Sequence, residues 1–147
     1  MKEKIVIASD HAGFALKSKV IKHLEERGFE VIDYGTYSEE SCDYPDFAHQ
    51  AASAVNRDDV KRGIVICGSG NGVSITANKY PNVRCALSWT PEISELGRRH
   101  NNCNMVGIPA RFISEETAMQ IVDMFLDTEF EGGRHERRVN KINQLLK

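Results

Sequence analysis

Hydrophobic positions along the chain fall into short unbroken runs separated by stretches with helical spacing. Residues 4–9 form the first run, and after Asp10-His11-Ala12-Gly13 the apolar positions Leu16, Val20, Ile21 and Leu24 recur every three or four residues as far as Gly28. A run of that kind predicts a buried strand, and the spacing after it predicts a helix with one apolar stripe. The alternation repeats along the chain. Residues 29–33 predict a second strand, and Ala48, Ala51, Ala52 and Val55 mark a small-residue helix face after Pro45. Residues 63–67 predict a third strand that enters a glycine loop, with a helix from about Val73. A fourth strand over 83–87, a helix over 91–100 and a fifth strand over 104–108 follow. Ser114 is placed to cap a further helix with Glu115 and Glu116 in its first turn. After Gly132-Gly133 a last helix is predicted to carry Val139, Ile142, Leu145 and Leu146.

Strands that are apolar on both faces and joined by helices belong in a parallel sheet covered on both sides. The expected fold class is therefore α/β, a three-layer α/β/α sandwich with a five-stranded parallel Rossmann-like sheet and a C-terminal helix. One domain over residues 1–147 accommodates it. Ligands of such sheets bind at the carboxyl ends of the strands, which selects Asp10 and His11 after the first strand and residues 67–72 after the third.

Composition narrows the partners. Nineteen basic against 21 acidic residues leave a net charge of -2, so whole-protein attraction to nucleic acid or anionic lipid is not expected. No apolar run reaches bilayer length, and the opening segment lacks the flanks of a signal peptide; both features point to the cytoplasm. Cys42, Cys67, Cys85 and Cys103 contain no Cys-x-x-Cys pair and are expected to be thiols in that compartment.

The densest chemical signal is Cys67-Gly68-Ser69-Gly70-Asn71-Gly72, a strand end passing through three alternating glycines into a helix. Such a loop can turn backbone N–H groups toward an anion. It does not match a dinucleotide fingerprint, since Val73 takes the place of the third glycine and Leu87 stands where the ribose-binding acid belongs. Nor is it a Walker loop, because no Ser or Thr follows Lys79. Cys67 has two readings, a packed strand-end thiol or a base at a helix N-terminus, and the glycine loop favours the second. Cys85 reads as inert core. Arg134 and Arg138 lie four apart on one helix face, which suits either solvent or a phosphate. Zinc bound by His100-x-x-Cys103 with distant thiols lacks the usual paired spacing, and no metal is expected.

Taken together, the motifs resemble the type B ribose-5-phosphate isomerase family, in a superfamily shared with galactose-6-phosphate isomerase. They are Ser9-Asp10-His11-Ala12-Gly13, Asp43-Tyr44-Pro45-Asp46, the Cys67 loop with Ala77-Asn78-Lys79, His100-Asn101-Asn102-Cys103-Asn104, and residues 132–139. The resemblance spans nearly the whole chain. It implies interconversion of ribose 5-phosphate and ribulose 5-phosphate in the pentose phosphate route, without a cofactor. By the same resemblance Cys67 is the base moving a proton between C2 and C1, and Ser69 with the amides of Gly68, Gly70, Asn71 and Gly72 holds the enediolate. His100 assists ring opening, and Asp10, His11 and Asn101 bind sugar hydroxyls. Arg111, Arg134 and Arg138 surround the phosphate with His11. It further implies a homodimer, or a dimer of such dimers, with shared sites: Asp10 and the Cys67 loop from one chain, His100, Asn101 and Arg111 from the other. Asn71, where many members carry an aliphatic residue, leaves six-carbon aldose phosphates such as allose 6-phosphate or galactose 6-phosphate as alternatives. A sugar-phosphate or nucleotide binder without turnover is the reading from another class.

Overall fold

Alternate side chains of each central strand enter different cores, which fixes the layers. In β1 (Lys4–Ser9) and β3 (Arg62–Cys67), Ile5, Ile7, Ile64 and Ile66 pack into one cluster, and Val6, Ala8, Val65 and Cys67 into the other. The first cluster is closed by Val20 and Leu24 of α1 (Phe14–Glu26) and by Ile121, Val122 and Phe125 of α5 (Glu115–Asp127). The second is closed by the alanine face of α2 (Tyr44–Asn56) and by Val73 and Ala77 of α3 (Asn71–Ala77). The computed structural model describes residues 1–146. The strands β2 (Glu30–Asp33), β4 (Cys85–Leu87) and β5 (Met105–Pro109) complete the sheet, and α4 (Pro91–Asn101) and α6 (Arg134–Lys141) complete the helices. The expected α/β three-layer arrangement is the observed one.

All four strand pairings are parallel and the order is β2-β1-β3-β5-β4. The chain leaves β1 to one side for β2 and returns to the other side for β3, so the reversal of winding lies between β1 and β3. That is where an open α/β sheet leaves a crevice for a ligand. Ser9 is in register with Ile66 and Cys67 with Pro109, so the segments leaving β1, β3 and β5 emerge side by side.

Most elements fall within a residue or two of their predicted bounds, and two differences have a clear physical cause. β4 starts at Cys85 because Val83 N–H is spent on a turn to Tyr80 O at 3.1 Å, and Arg84 N–H goes to the Asn104 side chain at 2.8 Å. α6 stops at Lys141, carrying Val139 but not Ile142, Leu145 or Leu146. Those three are 54%, 86% and 99% exposed, and without a core to bury them a short amphipathic helix does not propagate. Ser114 caps α5 as expected, its Oγ accepting the Thr117 N–H at 3.1 Å. Among the described residues no helix is long and apolar enough to cross a membrane.

Candidate active site

Three strand ends build one cleft of about 420 Å³. Asp10, His11 and Ala12 leave β1, Cys67, Gly68, Ser69 and Gly72 leave β3, Arg111 and Phe112 follow β5, and Tyr44 closes the side. Asp10 is 8% exposed and its Oδ1 accepts the Gly13 N–H at 3.0 Å, which holds the carboxylate at the entry to α1. His11 Nδ1 accepts the Cys42 backbone N–H at 3.2 Å. A backbone amide can only donate, so the neutral ring carries its proton on Nε2 and offers a donor there.

The glycine loop wraps the buried sulfur. Gly70 N–H donates to Cys67 Sγ at 3.1 Å, and Asn71 N–H donates to Ser69 Oγ at 3.2 Å. The Gly68 and Ser69 N–H groups meet no acceptor among the described residues. Gly70 has φ +76°, and a Cβ there would lie 2.5 Å from Leu87 Cδ1; both features demand glycine. At Gly72 a Cβ would stand 2.5 Å from the Tyr44 ring, so the aromatic wall of the cleft depends on that absent side chain.

Arg111 corrects the expectation that it arrives from a partner chain. Its N–H donates to Gly68 O at 3.0 Å, and its side chain runs 3.2 Å from where a Gly68 Cβ would sit. The cause is the sheet order: β5 adjoins β3, so the residue following β5 meets the loop following β3 of the same chain. His100, Asn101, Arg134 and Arg138 do not line this cleft. His100 instead stacks on His135, ring centroids 4.2 Å apart and planes 9° apart, beside Glu131. Asn101 lies exposed at the end of α4, and Arg134 and Arg138 project from α6 into solvent. His135 is 6% exposed, and its pKa is pushed down by burial first and then by His100.

The remaining cysteines separate from Cys67 by environment. Burial pushes the Cys85 thiol up to about 12 and the Cys103 thiol up to about 11, so both stay protonated, as the inert-core reading of Cys85 expects. Cys103 Sγ packs 3.5 Å from where a Gly97 Cβ would sit and is not among the ligating groups gathered at His100. The sequence reading assigned nothing to Tyr44, Phe112, Cys42 or Glu131. Tyr44 stood in a quoted motif and Glu131 four residues before His135, but neither position announced its neighbours.

Comparison with known proteins shows the family. Residues 5–142 match the model of the Ribose/Galactose Isomerase family. A relative from Escherichia coli strain K12, ribose-5-phosphate isomerase B, is 45% identical over 97% of this chain and 96% of its own. A solved ribose 5-phosphate isomerase of Thermotoga maritima superposes with a TM-score of 0.95, at 50% identity over 99% of this chain and all of that one (100%). Another, ribose-5-phosphate isomerase B of Mycoplasma genitalium with bound ribulose-5-phosphate, gives 0.93 at 42% identity, covering 98% of this chain and 96% of its own. With the fold, the cleft and a match that runs almost end to end, the chain belongs to the Ribose/Galactose Isomerase family.

Proposed function

We propose that this isomerase interconverts ribose 5-phosphate and ribulose 5-phosphate through an enediolate, with Cys67 as the base. The observation that carries this reading is the buried Cys67 sulfur, held by the Gly70 N–H at 3.1 Å in a cleft shared with Asp10, His11, Ser69 and Arg111. The substrate class rests on the relatives' names and on the ribulose-5-phosphate bound to one of them.

The chemistry balances with these groups alone. Cys67 Sγ takes the C2 proton of the open-chain aldose, the C2–H electrons form the C1–C2 double bond, and negative charge moves to O1. The unpaired Gly68 and Ser69 N–H groups, the Gly72 and Val73 amides in the first turn of α3 and the Ser69 hydroxyl are the donors for that charge. Returning the proton to C1 while the O2 proton passes to O1 yields the ketose. Donors fixed before reaction need no reorganisation as charge develops, and one positioned acid-base group contributes about 10²–10⁴-fold.

Ring opening by His100, the sugar-hydroxyl contact of Asn101 and phosphate capture by Arg134 and Arg138 need residues that lie outside the cleft. A homodimer with sites shared across the interface brings them to it, His100 opening the furanose and the two arginines meeting the phosphate with Arg111 and His11. Exposed apolar side chains flank the Cys67 loop where such a partner would sit: Ile75 of α3, 61% exposed, and the Trp89–Phe112 pair with centroids 5.2 Å apart. On this reading the enzyme works on phosphorylated sugars in the cytoplasm.

Turnover of ribose 5-phosphate beside allose 6-phosphate under identical conditions tests the assignment. Faster turnover of the pentose supports it, preference for the hexose redirects it to six-carbon substrates, and ligand-induced stabilisation without turnover marks a binder. Arg134→Ala and Arg138→Ala should each weaken binding of the phosphorylated sugar by about 1.5–3 kcal/mol, the worth of a charge-assisted hydrogen bond. Isothermal titration with ribose 5-phosphate and with ribose measures this; equal losses for both sugars would mean that the arginines hold the fold.

A further inference from the structure

Toward the amino end of the sheet, away from the carboxyl-end cleft, a second group of ligating side chains stands where α4 ends and α6 begins. His100, Glu131 and His135 each present one ligand atom, all within 4.8 Å of one another. Glu131 spans the two rings, Oε1 3.7 Å from His135 Nε2 and Oε2 4.0 Å from His100 Nε2. His135 Nε2 is buried and has no hydrogen-bond partner among the described residues. A buried polar atom without a partner costs free energy that a ligand at that position would recover. Two imidazoles and a carboxylate are the donor set of open zinc sites, in which a fourth position is left to solvent.

We propose that His100, Glu131 and His135 form a site for a borderline divalent transition metal such as Zn²⁺, and that its occupation switches the isomerase off by engaging the His100 imidazole. The geometry lies within reach of coordination. Ligand atoms around tetrahedral zinc sit about 3.4 Å apart for bonds of about 2.0–2.1 Å, so every pair here closes by about 1.4 Å or less. His135 is the fixed member, its side chain 7% exposed, while the side chains of His100 and Glu131 are 36% and 49% exposed and have room to adjust. The stacked rings present their nitrogens side by side, so binding turns the His100 ring out of the stack. Glu131 must also loosen its contact with Arg99 at 3.2 Å, which retains Glu95 at 3.2 Å. The metal has no part in the isomerisation; it competes for a nitrogen that the proposed ring opening uses. The inhibitory half of the inference rests on that assignment, and the binding half does not.

Cobalt is the probe. The holoprotein titrated with Co²⁺ should take up one equivalent per chain and develop the visible bands of a four-coordinate site, displaced by Zn²⁺. Cys67→Ala should bind equally and show no sulfur-to-cobalt charge transfer, whereas His135→Ala and Glu131→Gln should lose the bands, with circular dichroism confirming their folding. Loss of binding in Cys67→Ala, or its retention in His135→Ala, would overturn the site. With Zn²⁺ saturating, turnover should fall by about 10²-fold and return on adding a chelator, as expected for withdrawing one acid-base group. The Glu131→Gln enzyme, whatever its own rate, should lose that sensitivity. Metal bound at this site with ribose 5-phosphate turnover unchanged would confirm the site while refuting the role of His100.

Discussion

Replacing Cys67 by alanine is expected to lower kcat for ribose 5-phosphate by about 10²–10⁴-fold, with substrate affinity close to that of the parent. The sulfur lies in the cleft beside the amide-lined loop, within hydrogen-bond distance of the Gly70 N–H, and of the loop's side chains it is the one whose acid-base chemistry falls near neutral pH. Its removal takes the proton carrier and leaves Asp10, His11, Arg111 and the loop amides, so binding persists. Cys67→Ser separates the base from the scaffold. The hydroxyl still accepts the Gly70 N–H but is a far weaker base near neutral pH, so folding stays intact and turnover remains low. Steady-state kinetics on both variants check this, and near-parental kcat in either one would remove Cys67 from the chemistry.

Asp33→Ala is expected to destabilise the fold by about 3–5 kcal/mol, the cost of stranding one partner of a buried ion pair. Lys17 is fully buried at 0% exposure, and its Nζ donates to Asp33 Oδ1 and to Thr36 O, both at 2.6 Å. Without the carboxylate, an ammonium in the protein interior keeps one carbonyl and the faces of Phe14 and Tyr37. Gly35 N–H also loses its acceptor, Asp33 Oδ1 at 2.8 Å. Lys17→Met removes the charge with its stem retained, and the Asp33 side chain, 31% exposed, can turn to water. That variant should lose only about 1–3 kcal/mol, chiefly for the unpaired Thr36 carbonyl. Denaturant midpoints compare the two, and equal losses would refute the buried-charge account. The clamp also serves the site. Ser9, next to Asp10, exchanges two 2.7 Å backbone bonds with Gly35 and Thr36, and the loop beyond them carries Cys42, which orients His11.

What could be read from the sequence was what depends on local pattern. Apolar runs such as 63–67 specify a strand because both of its faces are buried, and Ser114 specifies a helix start because its oxygen meets an orphan N–H. The end of the third strand was legible as a candidate site because a cysteine and three alternating glycines at a strand-to-helix turn can present backbone amides to an anion. Strand order was not legible, since nothing in β5 states that it lies between β3 and β4, so the sequence offered no check on the partner origin that the resemblance implied for Arg111. The tail departs from its expected helix because Ile142, Leu145 and Leu146 keep helical spacing while their own chain leaves them 54%, 86% and 99% exposed. The stack of His100 on His135 depends on how α4 meets α6, a tertiary fact without a local signal.

The central claim is that the Cys67 cleft and the His100 group are two halves of one isomerase site joined across a dimer. The direct measurement is complementation. Cys67→Ala and His100→Ala chains, each inactive alone, are refolded together in equal amounts, so that about half of the dimers are mixed by random two-fold pairing. In a shared-site dimer each mixed molecule holds one doubly damaged site and one intact site, and ribose 5-phosphate isomerisation should return to about a quarter of the parental rate. Activity that stays at the level of the separate variants, with mixed dimers confirmed by mass, would contradict it.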